Sequence, residues 1–231
     1  MLIDVDINKK SLKKIQEDIQ KHSPYPPTVR LIAVTKTFSH TSIQSAEKNK
    51  ITNIGENKVQ ETKYKISQHP LNTTTKLHLI GHLQRNKVSL AVSIYNVIQS
   101  VDSIKLLNKI NNSAIKQNKK QKIFLQIKNN KQISQTGFNK KEILEAAEHA
   151  SQLSNIQTIG LMAIGPNTKN VEKIKKTFKQ TKNTQQIINN SIDRGCKYLS
   201  MGMSQDYVFA LQEGATHLRI GTKLFQKRDV K

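Results

Sequence analysis

The chain has 231 residues, with 38 Lys and Arg against 16 Asp and Glu, for a formal charge of +22 at neutral pH. That length is more than a sandwich or a bundle needs and suits one α/β domain around one hydrophobic core, so residues 1–231 are read as a single domain. Such a charge draws phosphates, nucleic acid or anionic membrane through its long-range field. Aromatics are only 5%, however, tryptophan is absent, and the basic runs are as short as Lys119-Lys120 and Lys175-Lys176, which argues against a built nucleic-acid surface.

The lysines are scattered among many Asn and Ile, as in a general compositional drift. The single cysteine, Cys196, excludes an intrachain disulfide and fits a reducing compartment. Its default role is a small buried side chain, with a thiolate activated by Arg194 and Lys197 as the minor alternative. Asp4 and Asp6 stand where a signal peptide needs basic residues, and no apolar run approaches a membrane span, so a soluble cytoplasmic protein is expected.

From Asn8 to about His22, Leu12, Ile15 and Ile19 recur at helical spacing between charged residues and predict an amphipathic helix. Ser23-Pro24-Tyr25-Pro26-Pro27 ends it, because proline cannot continue the backbone ladder. Short apolar runs then alternate with longer charged segments of helical spacing. The runs lie near Leu31–Val34, Ile51–Ile54, Leu77–Ile80, Val97–Val101, Ile123–Ile127, Ile159–Met162, Tyr198–Met201 and Leu218–Ile220. Strands alternating with helices imply right-handed crossovers and a parallel sheet. Eight such units fit a closed (β/α)8 barrel of the TIM type preceded by an extra helix. An open doubly wound sheet is the runner-up, and the missing Gly-x-Gly-x-x-Gly counts against its dinucleotide-binding version.

In parallel α/β folds the site forms beyond the carboxyl ends of the strands. The first run ends on Thr35-Lys36-Thr37, where a partly desolvated amine is set up to attack an aldehyde. A solvated loop lysine is the plain alternative. Ser200-Met201-Gly202-Met203-Ser204 and Gly221-Thr222 offer small residues and hydroxyls suited to a phosphate after the last two strands. His78 and His82 lie four apart without the further ligands that zinc needs, so no metal is expected. Gly-x-Ser-x-Gly and Gly-x-x-x-x-Gly-Lys-Ser/Thr motifs are absent.

Several motifs together resemble the pyridoxal phosphate homeostasis protein family. They are Ala33-Val34-Thr35-Lys36, Gly55-Glu56-Asn57-Lys58-Val59-Gln60-Glu61, His78-Leu79-Ile80-Gly81-His82-Leu83-Gln84-Arg85-Asn86-Lys87, Ser100-Val101-Asp102-Ser103, Gly160-Leu161-Met162, Leu199-Ser200-Met201-Gly202-Met203-Ser204 and Arg219-Ile220-Gly221. They run in order from about Arg30 to Phe225. The family consists of single-domain relatives of the alanine racemase barrel. The resemblance implies pyridoxal 5′-phosphate held as a Schiff base on Lys36, with Ser200, Ser204, Gly221 and Thr222 near the phosphate. It further implies Arg219 facing the pyridine nitrogen, and Asn57 and Met201 close to the cofactor.

A cationic Arg219 opposes protonation of the ring nitrogen and so weakens the cofactor as an electron sink. A racemase also needs acid and base groups on both faces of the substrate carbon. A cofactor carrier in vitamin B6 homeostasis, without catalytic residues, is therefore preferred to an amino-acid racemase of fold type III. Its expected partners are pyridoxal phosphate, other B6 vitamers and pyridoxal-phosphate-dependent apoenzymes, with no specific nucleic acid and no membrane, and the protein is expected to act as a monomer.

Overall fold

The computed structural model describes residues 2–128, 136–192 and 196–225. Helix α1 (Lys9–His22) comes first, capped by the Asn8 side chain, which accepts from the Ser11 amide at 2.9 Å. Its stripe of Leu12, Ile15 and Ile19 is buried, each such side chain contributing about 1.5–3 kcal/mol. A short 3-10 turn, Pro26–Thr28, leads out of the proline loop.

The chain then alternates as the pattern predicts. The order is β1 (Arg30–Val34), α2 (Thr41–Lys48), β2 (Asn53–Glu56), α3 (Val59–Gln68), β3 (Lys76–Leu79), α4 (Val88–Ile94), β4 (Val97–Val101), α5 (Ile104–Lys116), β5 (Gln121–Ile127), α6 (Glu142–Gln152), β6 (Ile156–Ala163), α7 (Val171–Ser191), β7 (Tyr198–Ser200), α8 (Tyr207–Gln212), β8 (His217–Ile220) and α9 (Thr222–Phe225). Each strand pairs in parallel with the next, and β8 pairs with β1, closing an eight-stranded barrel. No helix among the described residues is long and apolar enough to cross a membrane.

The second strand lies two residues later than its apolar run suggested. Ile51 is buried, but its amide donates to the Ala46 carbonyl at 2.9 Å and closes the end of α2, next to Lys50 at a φ of +60°. The isoleucine therefore belongs to the turn, and Asn53 begins the strand.

Alternation along the strands sorts side chains into two layers. One face of each strand joins the helices in a large apolar core that includes Ala33, Ile54, Leu79 and Leu161. The other face fills the lumen, where Val97, Phe124 and Met162 form a small separate apolar cluster. Around that cluster the lumen is polar, with His78, Gln99, Ser200, His217 and Arg219 all buried. Helix α1 packs across α8 and α9. The Asn8 amide donates to the Leu224 carbonyl at 2.9 Å, and Tyr207 Oη donates to Asp18 at 2.5 Å.

Candidate functional site

Lys36 stands two residues beyond the end of β1, half-buried, between the fully buried Thr35 and the left-handed Thr37 at φ +68°. The strand end that presents it is clamped from below. Lys65 on α3 has no exposed side-chain surface, and its Nζ donates to the Thr35 carbonyl at 2.8 Å and to Glu56 Oε1 at 2.7 Å. The same ammonium pairs with Glu61 Oε1 at 2.9 Å, and that carboxylate also accepts the Thr37 amide at 2.8 Å. Thr35 Oγ1 donates to Glu56 Oε1 at 2.6 Å. Burial raises the Glu56 carboxyl above its ordinary range, and the nearby Lys65 opposes the shift.

Arg219 lies in the lumen on β8, 5% exposed. Its Nη1 donates to Ser200 Oγ and its Nη2 to the Ala163 carbonyl, both at 2.8 Å. Burial lowers its pKa to about 10, with Asp206 opposing, so it remains a cation at neutral pH. A chain of hydrogen bonds continues from it. Ser200 Oγ donates to Gln99 Oε1 at 2.6 Å, Gln99 Nε2 donates to His78 Nδ1 at 2.9 Å, and His78 Nε2 donates to Asn53 Oδ1 at 3.0 Å. This order requires a neutral imidazole, and burial, with His217 and Lys76 nearby, lowers His78 to about 3.

The phosphate-type loops adjoin that arginine. Gly202 has φ +92°, and a Cβ there would meet Ala210 Cβ at 2.7 Å, so only glycine fits. Its carbonyl accepts the Arg219 amide at 3.0 Å, and Asp206 accepts the Met203 amide at 2.6 Å. Ser204 Oγ accepts the Lys223 amide at 3.2 Å, tying the loop after β7 to the segment that carries Gly221 and the exposed Thr222.

The expected residues divide accordingly. Lys36, Asn57, Ser204, Arg219, Gly221 and Thr222 fall on β1, β2, β7 and β8 or just beyond them, four consecutive strands of the closed barrel. Ser200 is fully buried, and its hydroxyl is committed inward to Arg219 and Gln99 rather than to the loop. Met201 is fully buried in the core between barrel and helices, and the partly exposed methionine of the pair is Met203. His78 and His82 do not share a site, since His82 is 56% exposed and pairs with Asp102 at 3.1 Å. Burial pushes Cys196 up to about 12, the opposite of an activated thiol, and Arg194 lies outside the described residues.

Sequence alone offers Gln99 only as one residue of the fourth strand end, Gln99-Ser100-Val101-Asp102-Ser103, with no role attached, and does not point to Lys65. Glu61 and Lys65 show helical i,i+4 spacing, the one local sign of the clamp. Gln99 bonds to residues 21 and 101 positions away, with no local sign at all.

The donor set fits a phosphorylated aldehyde with a heteroaromatic ring. It combines an amine, a guanidinium held without a carboxylate partner among the described residues, and a loop with a glycine cradle. Asn57 adds a test of the fit, because its Oδ1 is buried and meets no hydrogen-bond partner. Such an orphan costs about 1–3 kcal/mol until a ligand donor meets it.

A family model described as the alanine racemase N-terminal domain matches residues 7–229. A protein of Synechocystis named pyridoxal phosphate homeostasis protein is 35% identical over 203 residues, covering 88% of this chain and 93% of its own. One of the same name from Vibrio alginolyticus is 31% identical over 219 residues, covering 94% of each chain. The solved structure of PipY from Synechococcus elongatus without PLP superposes with a TM-score of 0.86 at 31% identity, covering 94% of this chain and 98% of that one. The same protein with PLP bound gives 0.85. With its barrel, its strand-end residues and these matches in agreement, the chain belongs to the pyridoxal phosphate homeostasis family, whose fold is that of the alanine racemase N-terminal domain.

Proposed function

We propose that this protein binds pyridoxal 5′-phosphate at the carboxyl-terminal mouth of the barrel and holds it on Lys36, as a carrier in vitamin B6 homeostasis rather than an enzyme of high turnover. The observation that carries the reading is the pairing of a half-buried lysine after β1 with a buried cationic arginine on the adjoining strand β8. When bound, the cofactor supplies an electrophilic aldehyde and an electron-accepting ring. Lys36 provides the amine for that aldehyde. Asn57 presents a buried acceptor to a ligand hydroxyl or N–H, and Ser204, Gly221 and Thr222 receive the phosphate. Ser200 acts one step back, by fixing the Arg219 guanidinium.

Arg219 is the reason for preferring a carrier. A permanent cation at the pyridine nitrogen keeps that nitrogen unprotonated and leaves the ring a poor sink for a substrate carbanion. Free vitamers and pyridoxal-phosphate-dependent apoenzymes are the partners this role implies, with the chain acting as a monomer of one domain.

The test is the absorbance spectrum of the purified protein before and after borohydride, with the modified peptide mapped by mass spectrometry. A visible band lost on reduction, with a pyridoxyl group on Lys36, is expected. A band of equal strength in Lys36→Ala would remove the assignment of the anchor. Turnover of a panel of amino acids by the loaded protein would favour the racemase reading instead.

A further inference from the structure

The end of the barrel opposite Lys36 carries a concavity that cofactor binding does not use. It is a cavity of about 750 Å³ whose walls include Arg30, Lys76, Lys119, Lys120, Lys122 and Lys197, with no aspartate or glutamate among its lining residues. These cations are more than a random share of a basic surface. The pleat that turns Ile32, His78, Phe124 and Arg219 into the lumen turns the residues two positions earlier the same way. Arg30, Lys76, Lys122 and His217 are therefore the lumen-side layer at the amino-terminal mouth, each at or next to the start of its strand.

One imidazole in its wall has a nitrogen without a partner. His217 is 7% exposed and lines the cavity, and its Nδ1 bonds to Thr216 Oγ1 at 2.9 Å, while its Nε2 meets no hydrogen-bond partner among the described residues. An adjoining cavity of about 680 Å³ shares Lys120, Lys122 and Lys197 and adds Thr158, whose buried hydroxyl is also unpartnered. Lys119 is drawn back to the Val92 and Tyr95 carbonyls, and Arg30 Nη1 donates to the Pro27 carbonyl at 2.8 Å, but Lys76, Lys120, Lys122 and Lys197 and the rest of the Arg30 guanidinium are exposed at the rim.

A ring of like charges around a concavity repels itself, and a bound anion removes that repulsion. Charge-assisted hydrogen bonds from such a ring, with the His217 imidazole in its wall, are what phosphate oxygens accept. The volume is that of a small-molecule pocket and too large for a lone phosphate ion, and half-buried Ile159 and Tyr198 give it an apolar wall. We infer that the amino-terminal mouth binds a polyphosphorylated small molecule, with Arg30, Lys76 and Lys122 on its phosphate oxygens and Tyr198 against the remainder. This second site stands independently of the cofactor assignment at the other mouth.

The test is calorimetric titration of the full chain with inorganic tripolyphosphate at ~0.15 M salt, where diffuse surface attraction is screened beyond a Debye length. The expected result is saturable one-to-one binding that Lys76→Glu with Lys122→Glu weakens by about tenfold or more. The pair Lys173→Glu with Lys176→Glu on the exposed face of α7 changes the formal charge equally, and it should alter binding by less than about twofold if the site is local. Equal losses in the two pairs would reduce the effect to net charge and overturn the site. So would the absence of saturable binding, or a loss confined to Thr222→Glu, which would move the anion to the cofactor end. Lys76→Gln with Lys122→Gln repeats the test with a milder change should the reversed pair fold poorly.

Discussion

Ser200 Oγ accepts a hydrogen bond from Arg219 at 2.8 Å and donates one to Gln99 at 2.6 Å, so one hydroxyl fixes a buried guanidinium between two strands. Ser200→Ala removes the acceptor and leaves both neighbours buried with a lost partner. A loss of about 1–3 kcal/mol of stability is expected in urea unfolding. Bound pyridoxal phosphate should also dissociate faster, since Arg219 loses one of its two fixed contacts, and Ser200→Thr should restore both properties in part. Normal cofactor retention in a destabilised Ser200→Ala would show that the serine is only structural.

The buried ion cluster behind Lys36 predicts a larger effect. Lys65 has no exposed side-chain surface and serves two carboxylates and the Thr35 carbonyl. Lys65→Met strands Glu56 and Glu61 without their cation, and breaking a buried pair in this way costs about 3–5 kcal/mol. Replacing all three groups together, as Lys65→Met with Glu56→Gln and Glu61→Gln, should recover most of that loss. Chemical denaturation of the two variants beside the parent measures both. A triple variant no more stable than Lys65→Met alone would mean that packing of the lysine stem, not its charge, is what matters.

How far these features were legible follows from how local their causes are. The barrel was readable because β-branched runs near Leu31, Ile98 and Leu125 alternate with helical spacing, a pattern carried within each segment. The position of Lys36, Asn57, Ser204 and Gly221 just beyond the carboxyl ends of β1, β2, β7 and β8 is legible in the sequence, because each follows directly on an apolar run. The inward turn of Ser200 was not, since its partners Gln99 and Arg219 are brought to it only when the sheet closes. Sequence alone leaves open whether the charge is compositional or functional, whereas the pleat gathers Arg30, Lys76 and Lys122 at one mouth, a placement that depends on strand register.

The two lumen imidazoles predict a pH dependence. Burial lowers His78 to about 3, with His217 and Lys76 adding to it, and lowers His217 to about 4, with Arg30 and Arg219 adding to it. The unfolded chain takes up protons on both below about pH 6.5 while the folded one does not, so stability present above that pH is lost as the pH falls. At pH 5 each imidazole should account for roughly 2 kcal/mol. The raised Glu56 carboxyl works in the opposite direction, because the folded state protonates it first. Urea midpoints measured from pH 7 to 5 should fall, and His78→Gln with His217→Gln should flatten the slope. An unchanged slope in that variant would assign the acid sensitivity elsewhere.

Gly81 sets the position of Asn57. A Cβ built on Gly81 would lie 2.4 Å from the Asn57 carbonyl oxygen and 2.6 Å from its Cβ, contacts that backbone cannot relieve without moving. Gly81→Ala should therefore displace the Asn57 side chain, whose buried Oδ1 has no hydrogen-bond partner. Asn57 lies beyond the end of β2, so the barrel itself should survive with a modest loss of about 1–3 kcal/mol. Pyridoxal phosphate should still react with Lys36 but be held more weakly, and Asn57→Ala should reproduce that weakening without the loss of stability. Spectrophotometric titration of both variants checks this. Full-strength binding in Gly81→Ala would mean that the asparagine is not a ligand contact, and Asn57 would then be reassigned to shaping the turn between β2 and α3.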